Sequence, residues 1–384
     1  MIKITDSVLY VGVNDHKVDL FEGIYHVPNG MAYNSYVVMD EKISVFDSVD
    51  AAFGDEWLKN IASALEGRKP DYLIVQHMEP DHSANIERFI KTYPEAKVVG
   101  NAKTFSMLNQ FFSTDFTQYQ ELVTDGSSLC TGEHTFTFVF APMVHWPEVM
   151  VTYDSKDKLL FSADGFGKFG ALDVQEDWAD EARRYYFGIV GKYGAQVQSL
   201  LKKAKELEIE KILPLHGPVL TENLGYYLGL YDTWSSYSVE SEGVVVAYAS
   251  IYGNTKKAAE QLAKSLEENG CPEVVLTDLA RSDMAENIAN AFRYGKIVLA
   301  SLTYNGTLFP AMREFIENLT ERGYRGRVVG IIENGTWAPV AARLIKERFA
   351  QSKDITFAEP VVTVRSAVKE QNAEEIGKLT KALC

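Results

Sequence analysis

The chain has 384 residues, 46% hydrophobic and 24% charged, enough apolar material for two ordinary globular domains. Its 38 basic and 53 acidic residues give a net charge of −15, spread along the chain, which disfavours nucleic acid and anionic lipid as partners. Cys130, Cys271 and Cys384 are too far apart for a disulfide framework or a thiolate metal motif, and with no ~18-residue apolar run and no signal-peptide start a reduced, soluble, cytoplasmic protein is expected.

Short strands dominate the first half. SYVVMD (Ser35–Asp40) and ISVFD (Ile43–Asp47) precede a helical pattern in which Trp57, Ile61 and Leu65 share one face. The apolar run of YLIVQHMEPDHSAN then stops at His77, and Glu79, Asp81 and His82 follow within five residues. Pro80 keeps Glu79 extended, so residues 77, 79 and 81 share a side, while Asp81 and His82 fall where SANIERFI begins a helix. One turn thus offers ligands in two directions, which suits two neighbouring metals. The same pattern also fits Asp81 as a helix cap and the histidines as solvated loop residues.

HTFTFVF (His134–Phe140) alternates strictly, placing Phe136, Phe138 and Phe140 on one side of a strand and giving His134 a structural, core-facing parity. Three further strand ends each carry one ligand-type residue: His145 in APMVHWPE, Asp164 in LLFSADGFG and His216 in ILPLHGP. Open α/β architectures place their sites at such ends. Of seven histidines, four lie there; His16 reads as surface and His26 as a strand-end residue that can line a pocket. Tyr193, in RRYYFGIVGKYG, is a candidate phenol over the same site or a plain helix-end tyrosine.

The segment Tyr231–Gly243 loses periodicity and gathers Ser, Thr and Gly, so the domain boundary is placed between residues 242 and 243. Beyond it VVVAYAS, VVLTD, KIVLAS, RVVGII and PVVTV alternate with helical stretches, the pattern of a doubly wound five-stranded parallel sheet. In ASIYGNTKKA, Ser250, Tyr252, Gly253, Asn254 and Thr255 bring hydroxyls and amides to a helix N-terminus, an anion site or simple N-capping. There is no G-x-G-x-x-G and no Walker lysine. SLTYNG and ENGTW lie at the same sheet edge and offer Tyr304 and Trp337 as flat surfaces for a ring.

His77-x-Glu79-x-Asp81-His82, with 62 residues before His145, 18 more before Asp164 and 51 more before His216, resembles the flavodiiron proteins, and the resemblance covers essentially the whole chain. It implies an N-terminal αββα metallo-β-lactamase-like domain (1–242) followed by a flavodoxin-like FMN domain (243–384). It implies one iron held by His77, Glu79 and His145, a second held by Asp81, His82 and His216, and Asp164 bridging them. Zinc hydrolases of this fold carry histidine where Glu79 stands; a carboxylate there suits iron cycling between two oxidation states. A binuclear zinc hydrolase with an appended flavodoxin is the competing reading.

In the second half the resemblance makes Ser250–Thr255 the FMN phosphate loop, Thr303, Tyr304, Asn305 and Gly306 the second flavin loop, and Asn334, Gly335 and Trp337 the third. It implies two irons and one FMN per chain, reduction of dioxygen to water and/or nitric oxide to nitrous oxide, and a head-to-tail homodimer with room for a dimer of dimers. Two ferrous ions and a reduced flavin together hold the four electrons that dioxygen needs. No Cys-x-x-Cys module follows Ala382, so an external donor is expected, a rubredoxin before a reduced deazaflavin.

Overall fold

The computed structural model describes residues 2–384. The chain divides into two compact units, one comprising residues up to Tyr186 with Ala195–Tyr231, the other Phe187–Gly194 with Asp232–Cys384. The expected boundary after residue 242 falls inside the strand Ser241–Tyr248 that opens the parallel sheet. The Ser- and Thr-rich stretch before it is not loose chain: Leu224–Ser235 is one helix.

The first unit is built on two sheets. One runs in the order β1 (Ile2–Lys3), β2 (Val8–Tyr10), β3 (Tyr36–Val38), β4 (Ser44–Phe46), β5 (Tyr72–Ile74), β6 (Lys97–Gly100) and β7 (Gln120–Leu122). Its first half is antiparallel and its second, from β4 onward, parallel. The other sheet runs β8 (Ser128–Cys130), β9 (Thr135–Phe140), β10 (Met150–Asp154), β11 (Leu159–Phe161) and β12 (Lys211–Leu213), antiparallel except for its last pair.

Side-chain alternation decides what each face buries. Tyr36, Phe46 and Ile74 from one sheet meet Phe136, Phe138 and Phe161 from the other in a single core. Phe46 stacks on Phe161 with ring centroids 3.9 Å apart. The opposite parity of the first sheet, Val37, Val45, Leu73 and Val98, is also buried. On that side lies the helix Gly54–Leu65, whose Trp57 donates to Ser35 Oγ at 2.8 Å and leans on Phe89. Two sheets with helices outside them form the αββα arrangement.

The second unit is a parallel sheet in the order β14 (Val274–Asp278), β13 (Ser241–Tyr248), β15 (Tyr294–Tyr304), β16 (Arg327–Asn334) and β17 (Ile355–Phe357). A sixth piece, β18 (Val362–Val364), also pairs with β16, so the fifth position is split in two around Pro360, which has no amide to donate. The helix Asn254–Glu268 packs Ala258, Ala259, Leu262 and Leu266 against β13, and Gly270 with φ +82 follows its end. The strand order reverses between β13 and β15, the crevice where such sheets bind ligands.

Candidate metal centre and flavin cleft

In the first unit three ligand-type residues stand at one position relative to their strands. His77, Asp164 and His216 are each the third residue beyond β5, β11 and β12, which end at Ile74, Phe161 and Leu213. His145 lies further out, within the connection from β9 to β10 rather than directly at a strand end. Asp81 and His82 sit in a short helix, Pro80–Ser83, with Glu79 at its N-cap. Asp81 does not cap that helix, and neither histidine of the loop is solvated: His77 and His82 are wholly buried.

The seven side chains converge as two groups. His77, Glu79, His145 and Asp164 form one, Asp81, His82 and His216 the other, with one ligand atom from each residue within 4.8 Å of its group. In the first, Nε2 of His77 stands 3.3 Å from Glu79 Oε2 and 3.2 Å from Asp164 Oδ2. Nε2 of His145 is 3.0 Å from each of the same two oxygens. In the second, Nε2 of His82 is 3.4 Å from both Asp81 Oδ2 and Asp164 Oδ1, and 3.0 Å from Nε2 of His216. Asp164 therefore turns Oδ2 to one group and Oδ1 to the other.

These residues fit cations. Donors about 2.1 Å from a common first-row metal stand roughly 3.0–3.4 Å apart, the spacing seen here. Both oxygens of Asp81, both of Asp164 and Nδ1 of His82 are buried without a hydrogen-bond partner. Orphaned buried carboxylates are costly, and a positive charge between them removes the cost.

The electrostatics of the cluster point the same way. Burial alone would lower His77 and His145, yet the Asp164 charge and the carboxylate contacts outweigh it, raising His77 well above its usual range and His145 to about 9. Asp164 is held well below the carboxylate range, its burial overcome first by His77 and then by contacts to His145 and His82. These shifts favour positive charge at the places that fit metals.

Several residues around the cluster were not read from the sequence. Glu148 Oε1 accepts from His77 Nδ1 at 2.9 Å and from the Met78 amide at 2.8 Å. Asp47, which closes the ISVFD strand, accepts from the Gln76 and His77 amides at 2.8 and 3.3 Å; burial pushes it up to about 6 against those bonds. Glu22, at the turn of the Leu20–Phe21/Tyr25–His26 hairpin with φ +50, meets Glu79; desolvation first, then that charge, raises it to about 8. The only sequence signal for Glu148 and Asp47 is an acid beside a strand end or a ligand.

Two buried phenols face His216, Tyr185 and Tyr33, with ring centroids 5.5 and 5.9 Å from it. Burial together with the charges of Asp164, Glu79 and Asp81 keeps Tyr185 protonated far above neutral pH. Tyr193 belongs to the other compact unit. His26 is exposed on its hairpin, and His134 spends its ring nitrogens on Asp154 (2.8 Å) and Ser7 (2.9 Å), a tie between the N-terminal hairpin and β10.

In the second unit a cleft of about 670 Å³ opens beyond the ends of β13, β15 and β16. Ser250, Tyr252, Asn254, Thr255, Thr303, Tyr304, Asn305, Gly306, Asn334, Gly335 and Trp337 line it. Gly253 stands behind it as N-cap of the helix Asn254–Glu268, with φ +84 and its amide turned to Ser250 Oγ at 3.1 Å. Ile251, Leu302, Thr336, Ala338 and Ser366 complete the lining, and no charged side chain takes part.

The cleft fits FMN. The helix N-terminus behind it has no side-chain cap, so its amides are left for an anion. The Thr255 hydroxyl is buried beside Asn334 Nδ2 at 3.4 Å. At the lip Tyr252 and Trp337 are 91% and 87% exposed, flat apolar rings standing in water with room for a planar guest. Thr303 Oγ1 accepts from the Val340 amide at 2.9 Å and so braces the second loop against the third.

Comparison with known proteins places this pairing of domains. Residues 31–217 match the family described as ODP family beta lactamase, and residues 245–358 match the flavodoxin domain. The nitric oxide reductase of Moorella thermoacetica is 27% identical over 100% of this chain and 98% of its own. The anaerobic nitric oxide reductase flavorubredoxin of Salmonella arizonae is 26% identical over 90% of this chain and 74% of its own. The rubredoxin oxygen:oxidoreductase of Desulfovibrio gigas superposes with a TM-score of 0.92 at 25% identity, covering 100% of this chain and 97% of that one. The flavodiiron protein of Giardia intestinalis gives 0.89 at 27%, over 99% and 96%.

Fold and site thus define a two-domain flavoprotein, a metallo-β-lactamase-like domain joined to a flavodoxin-like one. Within that class the chain is similar to the flavodiiron proteins, whose cofactors are FMN and a non-haem diiron centre. Among the described residues no helix is long and apolar enough to cross a membrane.

Proposed function

We propose that this protein reduces dioxygen to water and/or nitric oxide to nitrous oxide. His77, Glu79 and His145 would hold one iron, Asp81, His82 and His216 the other, and Asp164 would span both. The observation that carries the reading is Asp164, whose two oxygens address two separate imidazole groups, with a carboxylate, Glu79, completing the first. The named activities of the relatives favour it over zinc hydrolysis. When bound, the irons supply one-electron centres with open positions for a diatomic molecule, and FMN supplies a two-electron store.

The chain's own residues do the rest. Asp47 and Glu148 fix the turn that carries His77. Tyr185 keeps a proton on its hydroxyl beside the carboxylates, available to hydrogen-bond a reduced oxygen or nitrogen species. Phe21, edge-on to His216 at 5.5 Å, and Trp146, edge-on to His77 at 5.3 Å, wall the imidazoles with apolar rings and limit water. In the second half Ser250, Asn254 and Thr255 would take the FMN phosphate, and Tyr304 and Trp337 would flank the ring.

Electrons would come from a separate donor of rubredoxin type, in keeping with relatives named for rubredoxin, or from a reduced deazaflavin. A cytoplasmic head-to-tail homodimer completes the reading; its support is the family resemblance. The test is anaerobic reduction of metal-replete protein followed by parallel additions of dioxygen and nitric oxide. Consumption of either gas with reoxidation of the flavin supports the reading; two zinc ions per chain, no bound flavin and neither gas consumed would overturn it.

A further inference from the structure

We infer that Glu148 is a positioning residue that makes the two metal positions unequal, so that the His77–Glu79–His145 position binds its metal more tightly than the Asp81–His82–His216 position. This rests on the reading of those groups as metal ligands, and concerns how strongly each holds its ion.

The inequality lies in what stands behind each imidazole. His77 and Glu148 are both buried, and Nδ1 of His77 meets Glu148 Oε1 at 2.9 Å. The carboxylate only accepts, so Nδ1 carries the hydrogen, and the lone pair is left on Nε2, the atom facing Glu79 and Asp164. In the other group His216 Nδ1 donates to a neutral acceptor, the Ala32 carbonyl, at 2.7 Å, and Nδ1 of His82 is buried with no hydrogen-bond partner. A carboxylate accepts a hydrogen bond directly from the back of one imidazole of the first group, and from neither of the second. An acceptor of that kind raises the basicity of the ligating nitrogen and fixes the ring, and losing one typically lowers metal affinity 10–100-fold.

Glu148 is held to this task from both sides. Oε1 also takes the Met78 amide at 2.8 Å, and the Glu148 carbonyl accepts from Asn101 Nδ2 at 2.6 Å, where Asn101 caps the helix Ala102–Phe111. Its other oxygen, Oε2, is buried without a partner. If Glu148 served only to pin the loop, that orphaned oxygen would be an uncompensated cost; a cation held nearby by His77 offsets it. Glu148 also lies three residues after His145, so one short segment braces both imidazoles of the same position.

The experiment is release of iron from the FMN-replete protein to graded concentrations of a ferrous chelator, compared with Glu148→Gln and His82→Ala. Glutamine keeps an oxygen for Met78 and His77, removes the charge and puts an NH2 group in place of Oε2. Wild type should release iron in two phases of equal size, separated about tenfold or more in chelator concentration. Glu148→Gln should weaken the tighter phase at least about tenfold and bring the two together, with FMN content unchanged. His82→Ala should abolish the weaker phase and spare the tighter. Release of both irons of wild type in one phase, or a tight phase that Glu148→Gln leaves in place, overturns the inference. The wild-type phases can be read whether or not any variant folds. They are also independent of turnover: two-phase release without gas consumption would sink the proposed function and leave this inference standing.

Discussion

The two sites of this chain solve binding in opposite ways. The metal cluster gathers four imidazoles and three carboxylates, nearly all buried, around space that only positive charge can fill at low cost. The flavin cleft is open, has no charged residue in its lining, and offers an anion only hydroxyls, amides and a helix N-terminus. Loading either site should stabilise the unit that holds it; at the metal cluster the bound charge also offsets the mutual repulsion of the buried carboxylates.

The largest expected effect tests the separation of the sites. Asp164→Ala removes the one side chain that addresses both groups, so iron should fall toward zero at both positions while FMN stays at one per chain. Metal analysis and the flavin spectrum of the same preparation decide it. Selective loss of flavin would mean that the two sites are not independent. Chelation of wild type comes next. A ligand at a thousand times its Kd stabilises a fold by about 4 kcal/mol, so removing iron should raise amide exchange around β5, β11 and β12. Exchange in β13, β15 and β16 should hold steady. Equal loosening of both units would break the comparison.

The contrast also explains what was legible in the sequence. Histidine is scarce, so four close behind apolar runs stand out, and His77, Asp164 and His216 each come three residues past the end of a strand. Glu148 and Asp47 were not legible as support, because acids are common and their meaning depends on what faces them across the fold. Glu22 faces Glu79 from a hairpin whose strands are two residues long, too short to leave a periodic signal. The parallel sheet was readable from its continuous apolar runs, but its fifth position, split around Pro360, was read as one strand. The Tyr231–Gly243 stretch shows the limit of composition: its serines and threonines include the last turn of a helix.

A third prediction probes the uncharged site by one hydroxyl. Thr255 is buried at the start of the helix Asn254–Glu268, and Thr255→Ala should weaken FMN by roughly 1–3 kcal/mol if the phosphate takes that hydroxyl as partner. Iron should be untouched. Titration of the flavin-free protein with FMN measures it; unchanged affinity would put the phosphate elsewhere in the cleft.

The smallest effect concerns two tyrosines of one segment, eight residues apart and assigned to different units. Tyr185 is buried against His216 with its proton held by burial and by three nearby carboxylates, whereas Tyr193 is half-buried in the flavodoxin-like unit. Tyr185→Phe should keep both irons and FMN and lower turnover with dioxygen or nitric oxide about two- to tenfold, the worth of one neutral hydrogen bond. Tyr193→Phe should match wild type with both gases. The pair controls for itself, since each change removes the same hydroxyl from the same stretch of chain. A shift in the ratio of the two activities with Tyr193→Phe, and none with Tyr185→Phe, would show that the phenol serving the metal site is not Tyr185.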